Sequence, residues 1–192
     1  MATGRSGSTK MGHLVRPGQN SPILSATKVL YYKAMGKVIV FANQKGGVGK
    51  TTSCINIGAY IALAGKKVLL VDFDSQGNMS SGVGVSRNKP TVYEFIYGNA
   101  SAEETVKHSA IPNLDVISAS VDLAGATMEL SNPQDKDVYE KRNFFLKEAL
   151  APIRDGYDYT LIDCPPSLGI LTFNGLAAAD SVLVPMQCEY FA

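Results

Sequence analysis

The sequence predicts an α/β domain with a doubly wound, mostly parallel sheet, on three observations. Five short runs read as strands: KVIVFA (37–42), VLLVD (68–72), LDVIS (114–118), YTLID (159–163) and SVLVP (181–185). Stretches of helical character alternate with them, at 51–64 and near 121–130, 139–154 and 170–179. The runs are almost continuously apolar, where a sheet with one wet face would alternate, so helices are expected on both faces.

Taken in order, the first strand is β-branched and a glycine-rich segment follows it directly. In 51–64, Ile55, Ala59, Ala62 and Leu63 recur at helical spacing, and Gly65 is the expected stop. The second strand and YTLID both end in aspartate. Ahead of these elements, residues 1–22 are rich in Gly, Ser, Thr and Pro and are expected to be disordered for want of apolar surface. Residues 23–34 have room for a short basic amphipathic helix, and the leader as a whole could serve as a transit peptide. The better-supported reading makes 1–34 a disordered extension ahead of a start at Met35. Residues 35–192 then form one domain, expected to lack its C-terminal part because the chain stops seven residues after SVLVP.

Composition excludes several classes. With 192 residues, 45% hydrophobic and 18% charged, the chain suits one globular domain with one sizeable core. The net charge of +1 conceals an asymmetry: residues 1–36 carry five basic and no acidic side chains, and the remainder carries 13 basic and 17 acidic. A mildly acidic body argues against binding nucleic acid by bulk charge, so a DNA contact needs a local patch or an assembled dimer. Cys54, Cys164 and Cys188 form no C-x-x-C pair, which disfavours zinc, iron–sulfur clusters and a secreted disulfide scaffold and fits a reducing cytoplasm. No apolar run approaches the ~20 residues of a membrane span, and no membrane association is expected.

The segment after the first strand carries the chemistry. Asn43-Gln44-Lys45-Gly46-Gly47-Val48-Gly49-Lys50-Thr51-Thr52 lies between a strand and a helix, the context of a phosphate-binding loop. Glycines let successive N–H groups turn toward phosphate oxygens, and the helix start adds its positive dipole end. Lys50 is expected at the β- and γ-phosphates, Thr51 on Mg2+ and Thr52 at the α-phosphate of ATP. Gln44 stands where the usual G-x-x-x-x-G-K-[ST] pattern has its first glycine, and a second lysine, Lys45, is added. Asp163, ending an apolar strand at the carboxyl edge of the sheet, is expected to hold Mg2+ through water. Asp72 either assists the metal or caps its strand. Pro165, Pro166, Ser167 and Gly169 form a loop after Asp163 that could sense the γ-phosphate.

The K-G-G-x-G-K-[ST] form resembles the deviant phosphate loop of the ParA/MinD group. Further stretches resemble the Soj/ParA partition ATPases: LLVDFDSQGNMSSGVG, LDVISASVDLAGATMEL, LIDCPPSLGILTFNGLAAADSV and VPMQCEYFA, over nearly all of 35–192. The resemblance implies an ATP-dependent homodimer in which Lys45 reaches the partner's nucleotide. It implies that Asp74 orients the attacking water, so that Lys45, Lys50 and Asp74 serve catalysis and Gln44 to Thr52 bind the nucleotide. It also implies a cytoplasmic, nucleoid-associated protein with nonspecific DNA binding in the complete chain and a ParB-like activator. A MinD-like positioning ATPase, a bacterial tyrosine kinase and a non-hydrolysing nucleotide switch are the alternatives.

Overall fold

The computed structural model describes residues 35–188. The extension expected over 1–34 lies outside the described residues. Strand β1 (Lys37–Phe41) leads through a loop into α1 (Lys50–Leu63), β2 (Val68–Asp72) and three short helices, α2 (Asn78–Gly82), α3 (Val92–Ile96) and α4 (Ala102–Thr105). Then come β3 (Val106–His108), β4 (Leu114–Ile117), α5 (Leu123–Ser131), α6 (Lys136–Lys141), α7 (Phe145–Leu150) and a 3-10 turn (Arg154–Gly156). β5 (Tyr159–Asp163), α8 (Ile170–Ala178) and β6 (Ser181–Leu183) complete the described chain.

The sheet order is β3-β4-β2-β5-β1-β6, and every pairing is parallel except β3 with β4. Successive strand residues point to opposite faces, so each strand feeds two cores. Val68 and Leu70 join Phe41, Cys54, Ala62 and Leu161 on the α1 side. Leu69 and Val71 join Val40, Ile162, Leu123, Leu146 and Leu171 on the side of α5, α7 and α8. That double covering is why β2 is buried at all five positions and reads as an uninterrupted apolar run.

Three expectations are corrected. The buried stripe of α1 is Lys50, Cys54, Gly58 and Ala62, while Leu63 is exposed. Small residues prevail there because the helix lies close on the sheet: a Cβ at Gly58 would stand 2.7 Å from Leu70 Cδ2. The single helix expected over 139–154 is α6, α7 and a 3-10 turn. Buried Asn174 of α8 fills the break, donating to the Arg142 carbonyl at 2.7 Å and accepting from the Leu146 N–H at 3.3 Å. Pro152, which has no N–H to donate and crowds the preceding turn, ends the run. β6 stops at Leu183, two residues before Pro185. β3, short and polar, was not foreseen.

α3 and α4 were also missed, although both carry a start signal. Glu94 accepts from the Thr91 N–H and Glu104 from the Ser101 N–H, each three residues upstream. Among the described residues, no helix is long and apolar enough to cross a membrane.

Candidate functional site

Register builds the site. Phe41 of β1 and Asp72 of β2 both pair with Asp163 of β5, so three strands end in one row at the carboxyl edge of the sheet. The loop from Asn43 to Gly49 leaves β1 at that row. Asn43 fixes its start, since its Nδ2 donates to the Pro185 carbonyl at 2.9 Å and its Oδ1 accepts from the Lys45 N–H at 3.0 Å. Gly47 (φ 77) and Gly49 (φ 88) take the left-handed conformation, which turns the chain into α1 with Gly49 as its N-cap. Val48 is buried and anchors the loop, whereas Gln44, Gly46 and Gly47 are exposed.

Lys50 begins α1 only 7% exposed, and its Nζ donates to the Lys45 carbonyl at 3.1 Å. The ammonium thus folds back over the loop that precedes it. Lys45 is half-buried, and its N–H and carbonyl are both engaged within the loop. Thr51 Oγ1 donates to Asp163 Oδ2 at 2.6 Å. Thr52, beside it, is exposed, and its carbonyl accepts from Asn56.

Asp163 is 1% exposed, and its other oxygen, Oδ1, is buried with no hydrogen-bond partner among the described residues. Burial pushes its carboxyl up to about 7. The negative charges of Asp72 and Asp74 act the same way, against the Thr51 hydrogen bond and Lys50. Leaving such an atom unpaired costs about 1–3 kcal/mol, more for a charged group. Asp72, across the register, is 0% exposed but fully engaged. Its Oδ2 accepts from the N–H and the hydroxyl of Ser80 at 2.8 and 2.6 Å, and its Oδ1 lies 3.4 Å from the Asp74 N–H. Burial raises its carboxyl too. Of the two roles expected for Asp72, this geometry is that of a strand cap, and Ser80 is the partner that sequence reasoning missed.

Asp74 is half-buried at the head of a turn, its Oδ1 accepting from Gln76 N–H at 3.0 Å and its carbonyl from Gly77 N–H at 2.9 Å. The loop after Asp163 packs against the phosphate loop, where a Cβ at Gly46 would lie 3.9 Å from the Pro166 Cβ. A cleft of about 230 Å³ lined by Ser75, Pro165, Ser167, Gly169 and Met128 separates this loop from the Asp74 turn. Lys45, Lys50, Thr51, Asp74 and Asp163 therefore gather at one edge. A larger cavity of about 630 Å³, walled by Lys67, His108, Asp115 and Tyr157, opens at the opposite edge and holds none of them.

The residues present fit a magnesium nucleotide. A glycine loop with its N–H groups at a helix start, and a buried lysine over it, suit phosphate. A threonine hydroxyl beside a carboxylate with one unpaired oxygen suits Mg2+, which is held by one or two protein oxygens with phosphates and waters. No cluster of three or more His, Cys, Asp or Glu that could cage a metal occurs among the described residues.

A family model described as an AAA domain matches residues 36–192. The chain is 60% identical over 158 residues to the chromosome-partitioning ATPase Soj of Treponema pallidum, covering 82% of this chain and 60% of that protein. It is 49% identical over 160 residues to the sporulation initiation inhibitor protein Soj of Bacillus subtilis, covering 82% and 61%. Among solved structures, cobyrinic acid a,c-diamide synthase from Mycobacterium smegmatis with ADP and magnesium superposes with a TM-score of 0.74 at 41% identity, covering 82% of this chain and 62% of that one. The chain spans about 60% of the length of the curated relatives it matches. With its glycine loop, sheet order and residue matches taken together, the chain belongs to the AAA-domain family, within its ParA/Soj group.

Proposed function

We propose that this protein binds Mg-ATP on the loop from Gln44 to Thr52 and hydrolyses it to ADP and phosphate as the ATPase of a DNA-partition system. The observation that carries the reading is the Lys50–Thr51–Asp163 constellation: a buried ammonium over a glycine loop, with a hydroxyl bonded to a carboxylate that keeps one oxygen unpaired. Loop N–H groups and the start of α1 bind the phosphates. Lys50 would exchange the Lys45 carbonyl for phosphate oxygens, and the Thr51 hydroxyl oxygen would hold the metal while its O–H still donates to Asp163. Mg2+ bound there neutralises charge on the β- and γ-phosphates. Asp163 would accept hydrogen bonds at its Oδ1 from water on a metal held there.

Asp74 orients the attacking water in this reading. Positioning and fixed charge carry phosphoryl transfer, so a residue near the γ-phosphate need not bind the metal to matter. Lys45 reaches the nucleotide of a second copy and makes dimerisation depend on ATP. The dimer binds DNA nonspecifically and answers to a ParB-like activator, in a cytoplasmic, nucleoid-associated setting. Support for this branch over a MinD-like or kinase role is the 60% identity to a chromosome-partitioning Soj. The diamide-synthase name of the Mycobacterium structure is a second reading at lower identity.

The test uses the full-length protein. Lys50→Ala is expected to abolish Mg-ATP binding in calorimetric titration with the circular dichroism spectrum unchanged. Lys45→Ala is expected to bind nucleotide but to lose the ATP-dependent dimer in light scattering. Phosphate release that DNA accelerates, with no acid co-substrate present, separates partition from amide synthesis. Tight nucleotide binding by folded Lys50→Ala would overturn the assignment of the loop.

A further inference from the structure

The turn that carries Asp74 is held from outside by an arginine that the site described above does not use. Arg87 lies in the segment following α2 and is half-buried. Its Nη2 donates to the Ser75 carbonyl and its Nε to the Ala119 carbonyl, each at 3.0 Å. One planar guanidinium thus joins two segments, the Asp74 turn and the chain just after β4. It also lies flat against Gly77, where a Cβ would stand 2.2 Å from Nε and 2.3 Å from Cζ. Gly77 has φ 67, so a side chain there is disfavoured by backbone conformation as well as blocked by the arginine.

The Ala119 end of this bridge and the segment that carries Arg87 are themselves held. Ala119 also donates its N–H to Ser80 Oγ at 3.1 Å, and Ser80 in turn holds Asp72, so one residue fastens α2 and the arginine together. On the other side, Lys107 of β3 donates from Nζ to the carbonyls of Ser86 and Asn88 at 2.9 and 2.6 Å, flanking Arg87 in sequence. The same ammonium reaches Ser118 Oγ at 2.6 Å. The edge strand that sequence reasoning missed therefore anchors the segment from which Arg87 reaches.

We propose that Arg87 is a positioning residue for nucleotide turnover: its guanidinium fixes the conformation of residues 74–77, and with it the place of the Asp74 carboxylate, while Lys107 fixes Arg87. The proposal rests on the reading of Asp74 as the water-orienting group. An arginine suits the task because its rigid fork spans two carbonyls at once, which a lysine ammonium on a flexible stem does not. Loss of the bridge frees the turn to open locally without unfolding the sheet beneath it. A displacement of about 1 Å in a positioning group is enough to slow chemistry by about a hundredfold.

The experiment compares Arg87→Ala, Arg87→Lys and Asp74→Ala in the full-length protein by three readouts: amide hydrogen exchange of peptides covering 74–80, Mg-ATP affinity, and the rate of phosphate release. Arg87→Ala is expected to speed exchange in 74–80 by about tenfold while α1 exchanges as in the parent. Its kcat should fall by about tenfold, with Mg-ATP affinity within about threefold of the parent. Arg87→Lys, which keeps the charge and most of the apolar stem and guards against a variant that does not fold, should lose turnover to a similar degree. Parent turnover in either Arg87 variant, or a loss that tracks Mg-ATP affinity alone, overturns the proposal. Parent turnover in Asp74→Ala overturns the underlying reading of Asp74, and the exchange of 74–80 still decides whether Arg87 holds the turn.

Discussion

The ends of β2 and β5 offer a matched pair. Asp72 and Asp163 face each other in register, both close apolar strands, and both are withdrawn from solvent. Yet Asp72 is answered by protein groups on both oxygens, from Ser80 and the Asp74 N–H, whereas among the described residues Asp163 has one partner, Thr51, and one buried oxygen without any. Folding completes the first site and leaves the second incomplete. A carboxylate used for architecture is satisfied by the chain, and one kept for a ligand stores an unmet demand, at the kind of site where stability is given up for activity.

The strongest way to break this contrast is Asp72→Ala. It strips the acceptor from the Ser80 N–H and hydroxyl in a fully buried setting, and unsatisfied donors of that kind cost about 1–3 kcal/mol. A loss of roughly 3 kcal/mol in urea unfolding is expected, with α2 loosened. If the variant matched the parent in stability but lost Mg-ATP, Asp72 would belong to the ligand and not to the framework.

Asp163→Ala should show the converse. Mg-ATP affinity is expected to fall about 10- to 100-fold, as for groups that act on a metal through its bound water, while thermal stability without nucleotide holds. An unaltered affinity in calorimetric titration would remove Asp163 from the metal's surroundings.

Much of this pair was legible in the sequence, because an apolar run that ends in Asp fixes both strand and terminus with local information alone. The phosphate loop was legible for the same reason: its glycines, lysines and threonines lie within ten consecutive residues. What separates the two aspartates was not. Ser80 sits eight residues beyond Asp72 on a helix of five residues, too short to leave a periodic signal. Arg87 reaches a carbonyl 32 residues away, and Asn174 repairs a helix break 32 residues upstream. The last two contacts depend on how elements meet, and no short window of sequence contains both partners. Of the apolar positions that mark α1, Ala62 is buried and Ile55 packs on the core but Leu63 is exposed, because close helix–sheet packing favours small side chains such as Gly58, which a search for large ones passes over.

The subtlest test is Asp163→Asn in the metal-free, nucleotide-free protein. The amide can still accept from the Thr51 hydroxyl, but it carries no charge into a buried position near Asp72 and Asp74. The folded parent holds this carboxyl near 7, above its ordinary range, so the folded state binds the extra proton. Stability from this group is therefore fully present in acid and is lost as pH rises from the usual carboxylate range toward 7. The amide does not titrate, so the variant and parent should diverge across that window. At pH 8 with a chelator present, the variant should be more stable by about 1–2 kcal/mol, one unit of pKa being worth about 1.4 kcal/mol. Urea midpoints measured at pH 5 and pH 8 decide it. A difference that does not grow with pH would mean that the buried oxygen of Asp163 is satisfied in solution, and the asymmetry between the two strand ends would lose its energetic basis.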